Sequence, residues 1–432
     1  MQRIHVHELP QHEGERVRVA GWLHLQRRLS RLTFLLLRDC TGMVQVIVEN
    51  PGLIAEVASL QPESVLEVEA SVVGATQAPG GVELHEPIVR VLSTAEAPPI
   101  DLRRPALKEQ LSTQLDHAPV SLRHPRRRAV FALAAASIAG FRASLDGLGF
   151  TEIQTPKIVG SATESGADVF VLDYFGRPAY LAQSPQFYKQ TMVGVFERVY
   201  ETGPVFRAEP HDTPRHLAEY VSLDAEVGFV HDHFDVMRFA RESVAGMVDG
   251  VRTRADAAVG LLELQLPEVP EEIPVVHFSQ AQQLIEAGTG DRVCGEPDLA
   301  PAHERWIGQW ARREHGSDFV FVAGYPMVKR PFYTHPDPAR PEFSNSFDLL
   351  FRGLELMTGG QRLHRYEDSV AALAARGERP EAYVGYLEAF RHGMPPHGGF
   401  AIGLERWVAR LVEAANIRET TLFPRDRTRL AP

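Results

Sequence analysis

Two cysteines, Cys40 and Cys294, in 432 residues leave no disulfide framework and no cysteine-based zinc set. The stretch from Met1 to Pro10 lacks the apolar core of a signal peptide, and the longest nearly apolar run, Ala129 to Phe141, is too short to cross a bilayer. A cytoplasmic protein with no membrane role is therefore expected. Lysine is scarce as well: four of the 45 basic residues are lysine (Lys108, Lys157, Lys189 and Lys329), so 41 are arginine. In so biased a chain, each lysine raises the question of why a guanidinium did not serve. The rest of the composition is ordinary, with 44% hydrophobic and 23% charged residues, which argues against disorder. A net charge of −11 would disfavour nucleic acid if charge were spread evenly, because phosphate contacts need local cations. It is not spread evenly, since arginines cluster at Arg27, Arg28, Arg31 and Arg126–Arg128.

The length suggests two modules. In the first hundred residues, short apolar-alternating runs at Arg16 to Trp22, Phe34 to Leu37, Val44 to Val48, Val65 to Val73 and Val82 to Ser93 are separated by turns such as Thr41-Gly42 and Pro79-Gly80-Gly81. Five such strands suit a small closed barrel of OB type, although an SH3-like barrel or a half-sandwich fits nearly as well. Residues 1–103 are assigned to this barrel, 104–125 to a hinge and 126–432 to a second domain. That domain opens with an amphipathic helix carrying Val130, Leu133, Ile138, Phe141 and Leu145 on one face, stopped by Gly149. Strands then follow one another without regular helical crossovers, so the expected class is α+β, an antiparallel sheet flanked by helices.

Three segments concentrate functional side chains: the helix with Gly149-Phe150-Thr151-Glu152-Ile153-Gln154-Thr155-Pro156 after it; Phe206-Arg207-Ala208-Glu209 with Arg215-His216-Leu217-Ala218-Glu219-Tyr220; and Gly398 to Arg406, Gly-Gly-Phe-Ala-Ile-Gly-Leu-Glu-Arg. Taken singly, these would read as an interface helix, a salt-bridged strand face and a packing turn. In this order, behind a barrel, they resemble the three signature motifs of the class II aminoacyl-tRNA synthetases. Gln183-Ser184-Pro185-Gln186-Phe187-Tyr188-Lys189-Gln190 further resembles the aspartyl signature of the compact archaeal type, where asparaginyl enzymes lack the lysine.

The resemblance implies the following roles. Glu164, Gln186, Lys189, Arg207, Asp224, Thr358 and Arg362 would bind L-aspartate, with Arg362 and Lys189 on its side-chain carboxylate. An asparagine ligand would leave both cations unpaired, a loss that can give about 10⁴-fold selectivity. Arg207, Glu209, Arg215, His216, Leu217, Tyr220, Glu355, Gly403 and Arg406 would bind ATP, with Arg207, Arg406 and Glu355 catalytic. Asp348, Glu355 and Thr358 would hold Mg²⁺, a hard cation suited to oxygen ligands. If the chain reverses at Phe351-Arg352, Asp348 and Glu355 face each other across a hairpin; without the motifs around them, they would be read as exposed acids. Tyr220 departs from the family's usual phenylalanine, and Thr358 from its usual serine.

In the barrel, Phe34 would stack on the central anticodon uridine and Gln45 would bond its edge, although Phe34 could equally be a core residue. Members restricted to tRNA-Asp resemble one another in a tryptophan where this chain has His24, and a lysine where it has Pro79. These two residues thus resemble the relaxed subgroup that also aspartylates tRNA-Asn, feeding an amidotransferase; Pro79 serves equally well as a turn former. The motif 1 helix implies a homodimer. An asparaginyl enzyme, a catalytically inactive RNA-binding paralogue and a tRNA-independent ligase are the alternatives. Lys189, the intact motif residues and the barrel speak against them in turn.

Overall fold

A computed structural model describes residues 2–160, 169–210 and 213–431. The chain divides between Pro125 and Arg126 into two compact units. In the first, β1 (Arg16–Arg28), β2 (Thr33–Arg38), β3 (Met43–Val48), β4 (Val65–Gly74) and β5 (Val82–Ser93) close a barrel in the order β1-β2-β3-β5-β4. Alternation fills it: Val17, Val19, Leu35, Leu37, Val44, Val46, Val68 and Leu84 point inward and are buried, while their neighbours face out. Helix α1 (Pro51–Val57) starts on an Asn50 cap that accepts from the Leu53 N–H. The stretch expected to be a hinge carries α2 (Leu111–Asp116) and α3 (Ala118–Ser121), with Leu115 and Ala118 buried, and belongs to this first unit.

The second unit opens with α4 (Pro125–Gly147) and is built on an eight-stranded sheet, β12-β13-β14-β15-β16-β11-β10-β6. Its strands are β6 (Thr151–Glu152), β10 (Arg198–Phe206), β11 (Glu219–Gly228), β12 (Val275–His277), β13 (Phe319–Ala323), β14 (Ser346–Phe351), β15 (Leu354–Gln361) and β16 (His397–Gly403). Pairing is antiparallel except at the two outer pairs, β12 with β13 and β6 with β10. A small sheet of β7 (Ile158–Val159), β8 (Val171–Tyr174) and β9 (Arg177–Leu181) precedes α5 (Gln186–Phe196). Helices α6 (His233–Arg254), α7 (Asp256–Leu262), α8 (Phe278–Thr289), α9 (Pro301–His315), α10 (Tyr366–Ala375), α11 (Val384–Arg391) and α12 (Leu404–Leu411) complete the unit.

One sheet face is apolar and packs against α4, α6 and α12 through Leu133, Phe141, Met247, Phe347, Phe400 and Trp407. Its opposite face, described below, is polar at the centre. Helix α4 has 23 residues and enough apolar character to cross a membrane by length and composition, longer than the sequence run suggested. Here it forms part of this core, with Leu133, Phe141 and Leu145 fully covered. It crosses α6 at glycines: a Cβ on Gly140 would lie 2.0 Å from the Gly246 carbonyl oxygen, so nothing larger fits. Gly140→Val is therefore expected to destabilise the protein by about 1–3 kcal/mol. Gly147→Ala, at the open end of the same helix, should be neutral or stabilising by about 0.5–1 kcal/mol. Urea denaturation of the two variants checks the contrast.

Candidate active site

Alternation along β11 puts Tyr220, Ser222, Asp224 and Glu226 on one face, over the polar centre of the sheet. At the inner end of this row a charge cluster is buried. Lys189, from α5, donates to Asp224 Oδ1 at 2.9 Å and to the Phe400 carbonyl at 3.1 Å, and lies 3.3 Å from Glu226 Oε2. Arg362, just past β15, donates through Nε to Glu226 Oε1 at 3.0 Å and through Nη2 to the Gly399 carbonyl at 3.0 Å. The two cations hold the Glu226 carboxyl below its ordinary range against burial, which pushes it up. Ser222 donates to Asp224 Oδ2. Space for Glu226 exists because β16 offers glycine there: a Cβ on Gly399 would sit 2.0 Å from Glu226 Oε2. Gln186 is buried at the start of α5 and its Nε2 has no hydrogen-bond partner among the described residues, a donor open to a ligand.

The outer end is an open cleft of about 220 Å³ lined by Arg207, Glu209, Arg215, His216, Leu217, Tyr220, Glu355, Thr358, Gly403 and Arg406, all expected there, together with Ser222, Glu405 and Ile417. The Arg207 guanidinium lies 5.7 Å from the Tyr220 ring centroid and 3.8 Å from Glu209 Oε1, and His216 Nε2 is 3.4 Å from Glu209 Oε2. Arg406 Nη1 donates to Glu355 Oε1 at 3.4 Å. Several cations thus converge on a cleft wide enough for an anionic ligand, which is how polyphosphates are gripped.

The hairpin β14–β15 brings the proposed metal ligands together, but not as expected. The turn residues are Arg352 and Gly353, both at positive φ (47° and 72°), one position later than the sequence suggested. A register shift between Leu349 and Leu350 then pairs Asp348 with Thr358, while Glu355 pairs with Leu350. The two acids share a face diagonally rather than directly. Thr358 Oγ1 donates to Glu355 Oε1 at 3.2 Å, and the buried Arg330 donates to Asp348 Oδ1 at 3.0 Å. Burial, only partly offset by Arg330, raises the Asp348 carboxyl to about 6, and Glu355 adds to the rise. Two carboxylates and a hydroxyl form an oxygen donor set that suits a hard divalent ion, with Arg330 and Arg406 each already on one of the carboxylates.

In the barrel, Phe34 and Gln45 lie half-buried on the outer face of β2 and β3, and Pro79 is exposed at the start of a short turn. Gln45 Nε2 donates one of its two N–H bonds to Glu83 Oε1 at 2.6 Å, which anchors the amide beside Glu83. His24 is different. It occupies the bulge of β1 between Leu23 and Leu25 and is 7% exposed, with its basicity lowered by burial and by Arg38. The ring is thus largely covered, and His24, placed among the anticodon-reading residues by the resemblance, presents little surface of its own. Glu164 falls in 161–168, outside the described residues.

Two further expectations change. Lys189 and Arg362 already have carboxylate partners, Asp224 and Glu226, so an asparagine ligand would not strand two unpaired cations. Sequence reasoning also missed Glu226, Arg330 and Glu405. The period of two from Ser222 through Asp224 pointed to Glu226, whereas nothing local marked Arg330. Both Glu405 oxygens lie 3.1 Å from the Val221 N–H, beside Tyr220, and burial raises this carboxyl to about 7. A folded-state value above the ordinary 4.5 means that the folded protein binds this proton more tightly than the unfolded chain. Glu405 therefore favours folding below about pH 4.5, and that contribution fades as pH rises through 7. Wild type should lose on the order of 1–3 kcal/mol through this group between pH 5 and 8. Glu405→Gln should flatten that slope in urea melts.

Comparison with known proteins agrees with this geometry. A family model described as tRNA synthetases class II (D, K and N) matches residues 110–427, and one described as OB-fold nucleic acid binding domain matches residues 17–92. The chain is 46% identical to the aspartate–tRNA(Asp/Asn) ligase of Deinococcus radiodurans, covering 100% of this chain and 99% of that one. It is also 46% identical to the Thermus thermophilus protein of the same name, covering 100% of each. Among solved structures, the asparaginyl-tRNA synthetase of Pyrococcus horikoshii with asparaginyl-adenylate superposes with a TM-score of 0.92 at 30% identity, over 100% of both chains. With the class II model matching residues 110–427 and full-length relatives at 46% identity, the chain belongs to the class II aminoacyl-tRNA synthetases of the D, K and N group.

Proposed function

We propose that the protein activates L-aspartate with ATP and transfers it to the 3′ end of tRNA-Asp and tRNA-Asn. The observation that carries the amino-acid assignment is the buried pair of cations, Lys189 and Arg362, at the floor of a class II cleft. A side-chain carboxylate can accept from the donors that Arg362 keeps beyond those given to Glu226 and Gly399, with the Lys189 charge beside it, and Lys189 speaks against the asparaginyl reading. The full-length relatives named for both tRNAs support the wider tRNA range.

In this reading the α-carboxylate of aspartate attacks the α-phosphorus of ATP, an O–P bond forms and pyrophosphate leaves. The carboxylate is already ionised, so the rate comes from positioning and charge stabilisation rather than proton transfer. Arg207, which lines the cleft beside Tyr220, holds the attacking carboxylate and the α-phosphate together in this reading. Arg215, His216 and Arg406 hold the outer phosphates, and the Tyr220 ring lies under the adenine. Glu209 orients Arg207 and His216 by pairing with both. Asp348, Glu355 and Thr358 would hold Mg²⁺, which neutralises phosphate charge when bound. The 3′-hydroxyl of tRNA then attacks the carbonyl carbon of the adenylate and AMP leaves.

In the barrel, Phe34 provides a stacking platform worth about 1–3 kcal/mol per base. Anchored to Glu83 through one amide N–H, Gln45 keeps an acceptor oxygen and a second N–H, which suit the N3–H donor and a carbonyl oxygen of uracil. The exposed Pro79 offers no charge against a third anticodon base. An Asp-tRNA-Asn product implies an amidotransferase downstream. A homodimer through the α4 region and a cytoplasmic site of action complete the reading.

Aspartate, and not asparagine, should support pyrophosphate exchange. Transcripts with GUC and GUU anticodons should be charged at comparable rates, and an absolute preference for GUC would remove tRNA-Asn from the proposal. Lys189→Arg should raise KM for aspartate by at least about tenfold despite keeping its charge, because one ammonium nitrogen serves three acceptors that a planar fork cannot match. Its KM for ATP should stay near wild type; steady-state exchange kinetics in both substrates separates the two effects.

A further inference from the structure

Strand β16 pairs with β15 only from Met357 to Gln361, so nearer the hairpin turn the outward backbone groups of β15 face no strand. At Glu355 charged side chains take that place. Glu304, in the first turn of α9, accepts the Glu355 N–H through Oε2 at 3.1 Å, and Arg406 Nη1 approaches the Glu355 carbonyl at 3.3 Å. We propose that Glu304 is a positioning residue for Glu355: its carboxylate stands in for the missing strand and fixes where the Glu355 side chain enters the cleft. The inference rests on the reading of Glu355 as a ligand of the ATP-bound metal.

Three features make Glu304 suited to this task. Helix α9 is seated closely on the turn, since a Cβ on Gly308 would lie 2.5 Å from the Gly353 nitrogen, so Glu304 is delivered from a rigid support. The Glu355 side chain is 38% exposed, so packing alone does not orient it. The chain here has just left a two-residue turn and a register shift, where a strand end is least constrained. Burial raises the Glu304 carboxyl, opposed first by the Glu355 N–H and then by Arg215 and Arg406, neither of which forms an ion pair with it among the described residues. Its one committed role is the bond to the Glu355 backbone. Misplacing a charged ligand by about 1 Å can cost on the order of a hundredfold in rate.

The test uses Glu304→Ala, Glu304→Asp and Glu304→Gln in the full-length protein. Glutamine keeps an acceptor at the same reach, aspartate keeps the charge but falls one methylene short, and alanine keeps neither. Mn²⁺ binding in the presence of a non-hydrolysable ATP analogue is followed by the electron paramagnetic resonance signal of the free ion, alongside pyrophosphate exchange kinetics. Alanine and aspartate are expected to weaken Mn²⁺ binding and raise KM for ATP by about tenfold, as loss of a hydrogen bond to a charged group allows. KM for aspartate should not move, and glutamine should stay within about twofold of wild type. The inference is overturned if alanine binds Mn²⁺ like wild type, or if aspartate is tolerated and glutamine is not, which would make charge rather than the bond the active feature. A wild-type protein without aspartate-dependent exchange would instead sink the functional reading on which the inference rests.

Discussion

The structure depends on a buried row of opposite charges laid across β11. Four ionised groups, Lys189, Asp224, Glu226 and Arg362, sit at the centre of the sheet with almost no exposure. Any one alone would cost several kcal/mol in lost hydration, and removing one partner of such a set is typically more damaging than replacing all of it. The surrounding fold is arranged to keep them paired. Helix α5 brings the lysine, the end of β15 brings the arginine, and Gly399 opens β16 so that the Glu226 carboxylate fits. Because Lys189 and Arg362 spend part of their hydrogen-bonding capacity inside the protein, the site is preorganised before a ligand arrives. Selection between a carboxylate and an amide side chain then rests on the few donors left over, a finer discrimination than two bare cations would give.

The other end of the cleft follows a different design. Arg207, His216, Glu355 and Arg406 are each about one-third exposed, and their mutual contacts of 3.4 to 3.8 Å are loose ion pairs rather than tight hydrogen bonds. Solvent-exposed pairs of this kind contribute little to stability. They are therefore free to exchange partners when phosphate arrives: Arg406 can leave the Glu355 carboxylate for a phosphate oxygen without breaking anything the fold needs. In the proposed reading, a rigid, buried amino-acid end and an adaptable, wet phosphate end suit a reaction in which the amino acid must be chosen and pyrophosphate must depart.

Much of this was legible in the sequence because the informative signals were local. The alternation of the five barrel strands, the motif 1 helix with its Gly149 stop, and the residues that line the cleft all follow from short-range pattern or from motif resemblance. What escaped depended on contacts distant in the chain or on backbone irregularity. A register shift at Leu349–Leu350 moved Asp348 opposite Thr358, and no residue in that run announces it. Arg330 lies in an unremarkable stretch yet meets Asp348, and Glu304 reaches Glu355 from a helix about fifty positions earlier. His24 looked like a reader of bases because of where it falls in the barrel sequence; a bulge turned it inward. Periodicity could have exposed Glu226 and was not followed far enough along the strand.

The scarcity of lysine is explained by the same physics. With arginine the default cation, two of the second unit's three lysines, the buried Lys189 and the half-buried Lys157, sit where a single nitrogen must serve several acceptors. Lys189 Nζ faces a carboxylate oxygen at 2.9 Å, a carbonyl at 3.1 Å and a second carboxylate at 3.3 Å. Lys157 Nζ donates to Glu201 Oε1 at 2.8 Å and to Thr155 Oγ1 at 3.3 Å, tying the start of the second unit's chain to β10. An ammonium directs three N–H bonds tetrahedrally from one point. A guanidinium spreads its donors over a plane several ångströms wide and cannot gather acceptors around one atom. Arg362 shows the converse: its two contacts, Glu226 and the Gly399 carbonyl, are met by different nitrogens of one fork. The choice between the two residues at these positions is thus set by the geometry of the acceptors and not by charge, which is the same in both.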